Sequence, residues 1–380
     1  MIDVDVARGF PARLATRLSF LVAGLVMASW APQVPYAAAR LGLGASAFGL
    51  LLLCLGIGSV LAMQVTGAAI TRFGSRAVVL VGGGGLCLTL PLLACANTAF
   101  LLAIALLIFG ASIGSLDVAM NVHAVEVEQA AGEPLMSGFH GMYSLGGLIG
   151  AAGGAALLTS GLRPTAAAGV AALVAAVLLV LSAPGLLRSR SAHTAPLLVI
   201  PRGIVILIGV LAFIAFLTEG AILDWSALLL TGSFAVPAAQ AGIGYALFSV
   251  AMTVGRLTGD FVVKRLGQRM TLLTGGLMVT AGFALLLVPP AWLASCGFLL
   301  IGLGAANLVP ILFSTAGRQS AMPPVLAVAS ITTLGYAGIL VGPAAIGYIA
   351  ALTSLRTAFA LLGLIMLGFP LFRARIPAAQ

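Results

Sequence analysis

Two polar residues one helical turn apart interrupt a long apolar stretch in the first half of the chain. They are the ends of the segment Asp117-Val118-Ala119-Met120-Asn121. A spacing of four residues places both side chains on one face of a helix. An acid surrounded by hydrocarbon is costly and indicates a functional site by default. We therefore predict that Asp117 binds a proton or substrate and that Asn121 contacts substrate; the alternative role for Asp117 is a polar anchor between helices.

A second acid interrupts another apolar stretch, in the second half of the chain. Glu219 lies roughly 15 residues into that stretch, which predicts a position within hydrocarbon in its outer half. A carboxyl group there is a candidate proton carrier, and the alternative is an acid that ties helices together by hydrogen bonds. Asp224 follows nearer the outer interface, where a functional role is less expected. Trp225 is predicted either to stack on substrate or to join an interfacial aromatic belt.

His140 is the third candidate for proton coupling, because imidazole titrates in the physiological range. It is predicted at a depth similar to that of Asp117, although a hydrogen-bonded structural histidine is the alternative. Aromatic and amide side chains complete the predicted site, and they suit sugars as well as amphipathic drugs. The predicted substrate contacts are Trp30, Gln33, Asn121, Tyr143, Trp225 and Asn307.

The composition determines which elements position these residues. Of 380 residues, 61% are hydrophobic and 7% are charged, whereas soluble domains carry about 25% charged residues. Crossing the hydrocarbon core takes about 20 residues per helix, and the apolar runs show none of the polar alternation of a membrane barrel. We predict an all-α membrane protein with twelve spans, at 16–36, 45–70, 77–95, 99–122, 136–159, 164–184, 201–229, 239–262, 270–288, 291–313, 324–350 and 355–373.

The basic residues predict the orientation. With both termini inside, the cytoplasmic segments hold 14 Lys and Arg residues and the outer segments hold 3, which follows the positive-inside rule. The net charge of +9 is spread over short loops rather than gathered in one patch, so we expect no nucleic-acid partner. We predict a multi-pass protein of the cell inner membrane with cytoplasmic termini.

An internal repeat divides the chain. Arg72-Phe73-Gly74-Ser75-Arg76 follows the second span and Arg265-Leu266-Gly267-Gln268-Arg269 follows the eighth, at an offset of 265 − 72 = 193 residues. We therefore predict six-helix bundles at 1–184 and 201–380, joined by a polar cytoplasmic linker at 185–200. Repeats of six helices are typical of transporters whose substrate site lies between the halves.

These repeated loops resemble the signature loop G-x-x-x-D-R-x-G-R-R of the major facilitator superfamily. The first copy has Thr71 in place of the signature aspartate. The Asp117–Asn121 segment also resembles an acidic-x-x-x-Asn element of fucose permeases, although the first span lacks the acid that those permeases carry. The resemblance implies the twelve-helix fold of this superfamily, within a fucose-permease-like branch of uncharacterised bacterial members.

The same resemblance implies that the loop residues act as gates rather than as substrate contacts. We predict an ion pair between Arg256 and Asp260, four residues apart near the inner end of the eighth span. Glu126 is predicted to meet the arginines of the first loop, and a solvated cluster is the alternative. The predicted gating residues are Arg72, Arg76, Glu126, Arg256, Asp260, Arg265 and Arg269.

Glycines spaced by four residues recur on three stretches and favour close helix packing. The resemblance implies that helices five and eight meet across the halves, so these ridges are either sliding surfaces or static contacts. They are Gly146, Gly150 and Gly154, then Gly255 and Gly259, then Gly338 and Gly342.

Together these features predict a monomeric secondary transporter that moves a small solute by alternating access, coupled to protons. Drug or metabolite efflux by the same fold and a non-transporting receptor are the alternatives, and an intramembrane enzyme is a weaker rival. The one lysine, Lys264, is not preceded by glycine, so the chain lacks a phosphate-binding loop for ATP. We expect no cofactor and no metal.

Overall fold

The computed structural model describes residues 9–43, 45–188, 200–237 and 240–375. Long helices dominate, because backbone groups in hydrocarbon must be hydrogen-bonded within the chain. Short 3-10 turns occur at Ala31–Gln33 and Ala183–Gly185. The helices are α1 Phe10–Trp30, α2 Val34–Leu41, α3 Ala45–Phe73, α4 Ser75–Cys95, α5 Ala99–Ala131, α6 Met136–Thr159, α7 Pro164–Ser182, α8 Ile204–Phe234, α9 Ile243–Leu257, α10 Gly259–Leu266, α11 Gln268–Leu285, α12 Ala291–Ala305, α13 Leu308–Arg318, α14 Pro324–Leu352, α15 Leu355–Ile365 and α16 Gly368–Phe372.

Each of the twelve predicted apolar stretches contains at least one helix, and the all-α membrane class is confirmed. Among the described residues, ten helices are long and apolar enough to cross a membrane, or eleven if the bent pair α9–α10 is one span. The count of twelve spans therefore stays a prediction. Large apolar side chains face outward, as expected against lipid; Val81, for example, is 76% exposed.

Helix α5 is longer than predicted. It continues to Ala131, beyond the predicted end at 122, because residues that end a hydropathy run do not end a helix. Asp117 is consequently the 19th of 33 residues and lies near the middle of the helix. Glu128 lies beyond the predicted end of the span and is buried in the last turn of the helix.

Several spans are broken. Pro32 and Pro35 predict a kink or an end in the first span, and α1 passes there through a 3-10 turn into α2. The axes of α9 and α10 differ by 59°. A further break separates α12 from α13 just before Asn307, which precedes α13. Pro343, by contrast, lies within the continuous helix α14.

The two repeated loops share a backbone conformation. Gly74 between α3 and α4 has φ 87° and ψ 155°, and Gly267 between α10 and α11 has φ 76° and ψ 159°. A positive φ favours glycine, because it lacks the Cβ that makes the region costly for other residues. The offset of 193 residues in sequence thus corresponds to a repeated turn in the structure.

The chain divides into two compact units. The first comprises residues 1–132 and 142–200, and the second comprises residues 133–141 and 201–380. In the first unit, α3 and α4 both pack against α5, and α7 packs against α1 and α4; in the second, α8 packs against α14, and α12 packs against α9 and α11. The start of α6 thus groups with the second unit. Of the predicted linker, residues 189–199 lie outside the described part of the chain.

The glycine ridges pack against helices of their own unit. A Cβ at Gly146 or Gly150 would press against the carbonyl oxygens of Leu21 or Leu25 on α1, and one at Gly338 against that of Phe213 on α8. These helices approach so closely that only glycine fits. At these positions the contacts within each unit favour the alternative of static packing.

Candidate functional site

The first unit buries the Asp117–Asn121 pair on α5. Asp117 is 8% exposed and Asn121 is fully buried. Asn121 Nδ2 donates to the Asp117 carbonyl oxygen at 2.9 Å and lies 3.4 Å from Asp117 Oδ1. Among the described residues, no ion pair includes Asp117. The carboxyl group is therefore neighboured by an amide donor rather than by a cation.

The break after α1 buries two polar atoms. The indole Nε1 of Trp30 and the Oε1 of Gln33 are buried and have no hydrogen-bond partner among the described residues. Gln33 Nε2 donates to the Ser29 carbonyl oxygen at 3.3 Å, which holds the side chain in place. Buried polar groups are normally paired, so an unpaired donor and acceptor mark places where a ligand can bind. Tyr143 on α6 is half-buried in the same unit.

The second unit contains a buried ion pair between Glu219, predicted to carry protons, and Arg256, predicted to act in gating. Arg256 Nη2 on α9 lies 2.8 Å from Glu219 Oε1 on α8, with 7% and 22% of the two side chains exposed. Glu219 is the 16th of the 31 residues of α8. The two predicted depths, outer half for Glu219 and inner end for Arg256, do not hold together, because the two side chains meet.

Asp260 contacts the beginning of α6. Both of its carboxylate oxygens lie 3.1 Å from the backbone nitrogen of Gly138, the third residue of that helix. A helix N-terminus has unpaired amide hydrogens and attracts negative charge. The sequence predicted Arg256 as the partner of Asp260; the structure gives Arg256 the partner Glu219 and gives Asp260 a backbone amide.

Two helix breaks and the start of α6 meet around Gly259. A Cβ at Gly259 would lie 2.6 Å from Ser137 Cβ and would also clash with Asn307 Oδ1. Asn307 is 7% exposed, and its Oδ1 has no hydrogen-bond partner in the described part of the chain. His140 is buried, and the centre of its ring lies 5.5 Å from the centre of the Phe313 ring. His140 and Asp117 belong to different units, so their predicted similarity of depth stays a prediction.

Trp225 lies further along α8 than Glu219. Its six-membered ring covers Gly347 of α14, with Cζ2 2.9 Å from the position that a Cβ would take. Its Nε1 is buried without a partner among the described residues, as is that of Trp30. Asp224, beside it, is exposed. Among the described residues, each unit thus contains a buried indole N–H without an acceptor.

The predicted latch of Glu126 with the first loop takes another form. Glu126 Oε2 accepts a hydrogen bond from Ser75 Oγ at 3.5 Å, and no ion pair with Arg72 or Arg76 is present in the described ranges. Arg72 is exposed, and its guanidinium carbon lies 5.1 Å from the ring centre of Phe73.

The second loop repeats that arrangement. The guanidinium carbon of Arg265 lies 5.0 Å from the ring centre of Phe261. Arg269 is exposed, and Lys264 pairs with Glu133 at 3.3 Å. Both loops therefore hold one arginine over an adjacent phenylalanine ring.

The sequence assigned no role to His123, which lies just beyond the predicted end of the fourth span at residue 122. It is 1% exposed on α5. Its Nε2 accepts from the backbone N–H of Leu187 at 2.9 Å, and its Nδ1 lies 3.0 Å from Thr16 Oγ1. Since Thr16 donates to the Ala12 carbonyl oxygen, the network assigns the proton to Nδ1 of a neutral ring. A histidine within an unbroken helical pattern was the available signal.

The fold and these buried polar positions define a polytopic membrane transporter. The model of the Major Facilitator Superfamily matches residues 18–324, and the chain belongs to this superfamily. Its members are transporters rather than enzymes, which removes the intramembrane enzyme from consideration.

Relatives and solved structures agree with this assignment. An uncharacterized MFS-type transporter of Yersinia pestis is 52% identical over 95% of both chains. An uncharacterized transporter of Sinorhizobium fredii is 34% identical over 91% of this chain and 93% of its own. The crystal structure of the MFS transporter FucP in its outward conformation is similar, with a TM-score of 0.81 at 14% identity over 98% of this chain and 100% of that one. The proton:xylose symporter XylE gives 0.77 at 12% identity over 97% and 96%.

Proposed function

We propose that this secondary transporter couples a small hydroxylated solute to protons by alternating access. The observation that carries the proposal is the buried ion pair of Glu219 with Arg256, together with Asp117, a buried acid that has no ion-pair partner among the described residues. A charge buried without a counter-charge is very costly, so such an acid must be neutralised by a proton or a ligand. Protons are available in every state of a transport cycle.

Glu219 acts as the coupling acid in the second unit. While it is ionised, it holds Arg256 at 2.8 Å. A proton on Glu219 removes one charge of the pair and releases the guanidinium, which then offers its donors to a solute oxygen. Proton binding and solute binding thereby act on the same two side chains, which is a direct way to couple them.

Asp117 acts as the corresponding acid in the first unit. Its amide neighbour Asn121 can donate to either the ionised or the protonated carboxyl group. A proton therefore changes the charge at this position without requiring a new partner. His140 is assigned a lesser role: its ring packs against Phe313, which agrees with a structural histidine.

The substrate class follows from the unpaired atoms. Each unit holds a buried indole N–H that needs an acceptor and a buried amide oxygen that needs a donor: Trp30 and Gln33 in the first, Trp225 and Asn307 in the second. A hydroxyl group is both donor and acceptor, so a polyhydroxylated solute satisfies both kinds. The solved neighbours include fucose:proton and proton:xylose symporters, in keeping with this class.

The Asp260–Gly138 contact serves as the gate. It fixes the first turn of α6, whose later residues belong to the other unit. A charged cap on a helix terminus is strong enough to hold one state and weak enough to release it. We further propose that the basic loop residues Arg265 and Arg269, with Arg72 and Arg76 in the first repeat, lie on the cytoplasmic side, as do both termini. The protein acts as a monomer in the cell inner membrane.

Transport in sealed proteoliposomes tests the proposal. Radiolabelled sugars and polyols are offered to wild-type protein with and without an imposed pH gradient. We expect the gradient to drive accumulation of at least one hydroxylated solute, and Asp117→Asn and Glu219→Gln each to abolish that drive. Asp224→Asn, an exposed acid on the same helix as Glu219, is the matched control and should behave as wild type.

The other readings have distinct outcomes. If the pH gradient drove the solute against the direction of proton flow, the protein would be an efflux transporter of the same fold. A solute that binds but never crosses the vesicle membrane would indicate a receptor. Transport that ignores the gradient in wild-type protein would contradict the proton coupling.

A further inference from the structure

An apolar groove runs along the first unit between α3 and α4. The two helices pack on α5, which forms the floor of the groove. Its volume is about 870 Å³. The side chains that form its walls stay open to the surroundings; Leu61 is 64% exposed and Val81 is 76% exposed. In a membrane such a surface must be covered by something apolar.

Positive charge is concentrated at one end of this groove. Phe73, the last residue of α3, lines the groove and carries the guanidinium of Arg72 over its ring. Arg76 is the second residue of α4 and precedes the lining residue Ala77 in the sequence, so it lies at the same end of the groove. Neither arginine takes part in an ion pair within the described residues. The nearby acid Glu126 is hydrogen-bonded to Ser75, so the two arginines exceed it by one charge.

We propose that this groove binds a phospholipid with an anionic headgroup. One acyl chain lies along α3 and α4, and the headgroup phosphate lies against Arg72 and Arg76. From Gly58 to Phe73, α3 rises about 22 Å, whereas one leaflet of hydrocarbon is about 15 Å deep. The groove is therefore long enough for a full acyl chain. Arginines at the membrane surface attract anionic lipid, and guanidinium groups pair well with phosphate.

The contributions of the two arginines and of the apolar groove can be tested separately. Native mass spectrometry measures the lipid that the detergent-purified protein retains. The protein is equilibrated with equal amounts of phosphatidylglycerol and phosphatidylcholine. We expect wild type to retain phosphatidylglycerol preferentially and R72Q/R76Q to lower that preference by about tenfold. R72K/R76K should keep most of the preference. R188Q, which removes an exposed arginine elsewhere in the same unit, should leave it unchanged.

The apolar part is tested by filling the groove. Ala62 and Ala111 line it from α3 and α5. A62L/A111L should lower the retention of both lipids, with helix content checked by circular dichroism. Equal retention of the two lipids by wild type would overturn the proposal. So would a loss of preference in R188Q as large as that in R72Q/R76Q, or full lipid retention by the filled groove.

Discussion

Arg256 and Glu219 form an ion pair of 2.8 Å inside the second unit, although 37 residues separate them in sequence. The pair connects the broken span α9–α10 to the middle of α8. Breaking a buried pair by removing one partner costs more than removing both, because the remaining charge has no counter-ion. This asymmetry gives the first prediction.

Arg256→Gln should lower stability more than the double variant Arg256→Gln/Glu219→Gln. We expect about 2 kcal/mol for the single change, less than for a fully buried pair because part of Glu219 is exposed. Thermal unfolding in detergent measures it. If the stability loss of the double variant equalled the sum of the losses of the two single variants, the two side chains would not stabilise each other.

Asp260→Ala should release the first turn of α6. Both oxygens that accept from the Gly138 amide are lost, so hydrogen exchange at residues 136–139 should become faster. Asp260→Asn keeps one carbonyl oxygen and should give an intermediate rate. Unchanged protection in the alanine variant would mean that the carboxylate does not hold this turn.

Gly259→Ala should impair folding or transport, since the added methyl group meets Asn307 and Ser137. The expected cost is about 1–3 kcal/mol from overpacking. Gly232→Ala on α8 is the control, because nothing lies within 4 Å of its Cβ position. Expression level and thermal midpoint report the result, and equal behaviour of the two variants would disprove the close packing.

His123→Ala should destabilise the first unit by about 1–3 kcal/mol, because the Leu187 N–H loses its buried acceptor. Thr16→Val removes only the contact to Nδ1 and should cost less. Hydrogen exchange at the Leu187 amide distinguishes the two variants: it should accelerate in the alanine variant alone. Acceleration in neither would contradict the network.

The sequence was sufficient to predict features that depend on local composition. Apolar runs predicted where the helices lie, Pro32 and Pro35 predicted the break in the first span, and the repeated glycines predicted a turn that Gly74 and Gly267 share. Each of these follows from the solvent or from the backbone of a few neighbouring residues.

Partners across the fold could not be predicted in this way. Asp260 and Arg256 are one helical turn apart, so an ion pair was the local expectation. The break at Thr258 separates their helices by 59°, and each residue meets a group distant in sequence. Helix ends were misjudged for a related reason: buried polar residues such as His123 and Glu128 continue α5 where hydropathy alone predicts its end.

Counterflow compared with gradient-driven uptake tests the central claim most directly. The measurement uses a solute that the wild-type protein accumulates under an imposed pH gradient. Exchange of labelled for unlabelled solute requires no net proton movement, whereas accumulation does. Glu219→Gln and Asp117→Asn should therefore retain exchange and lose accumulation, while Asp224→Asn retains both. Accumulation at the wild-type level in both variants would contradict proton coupling through these acids.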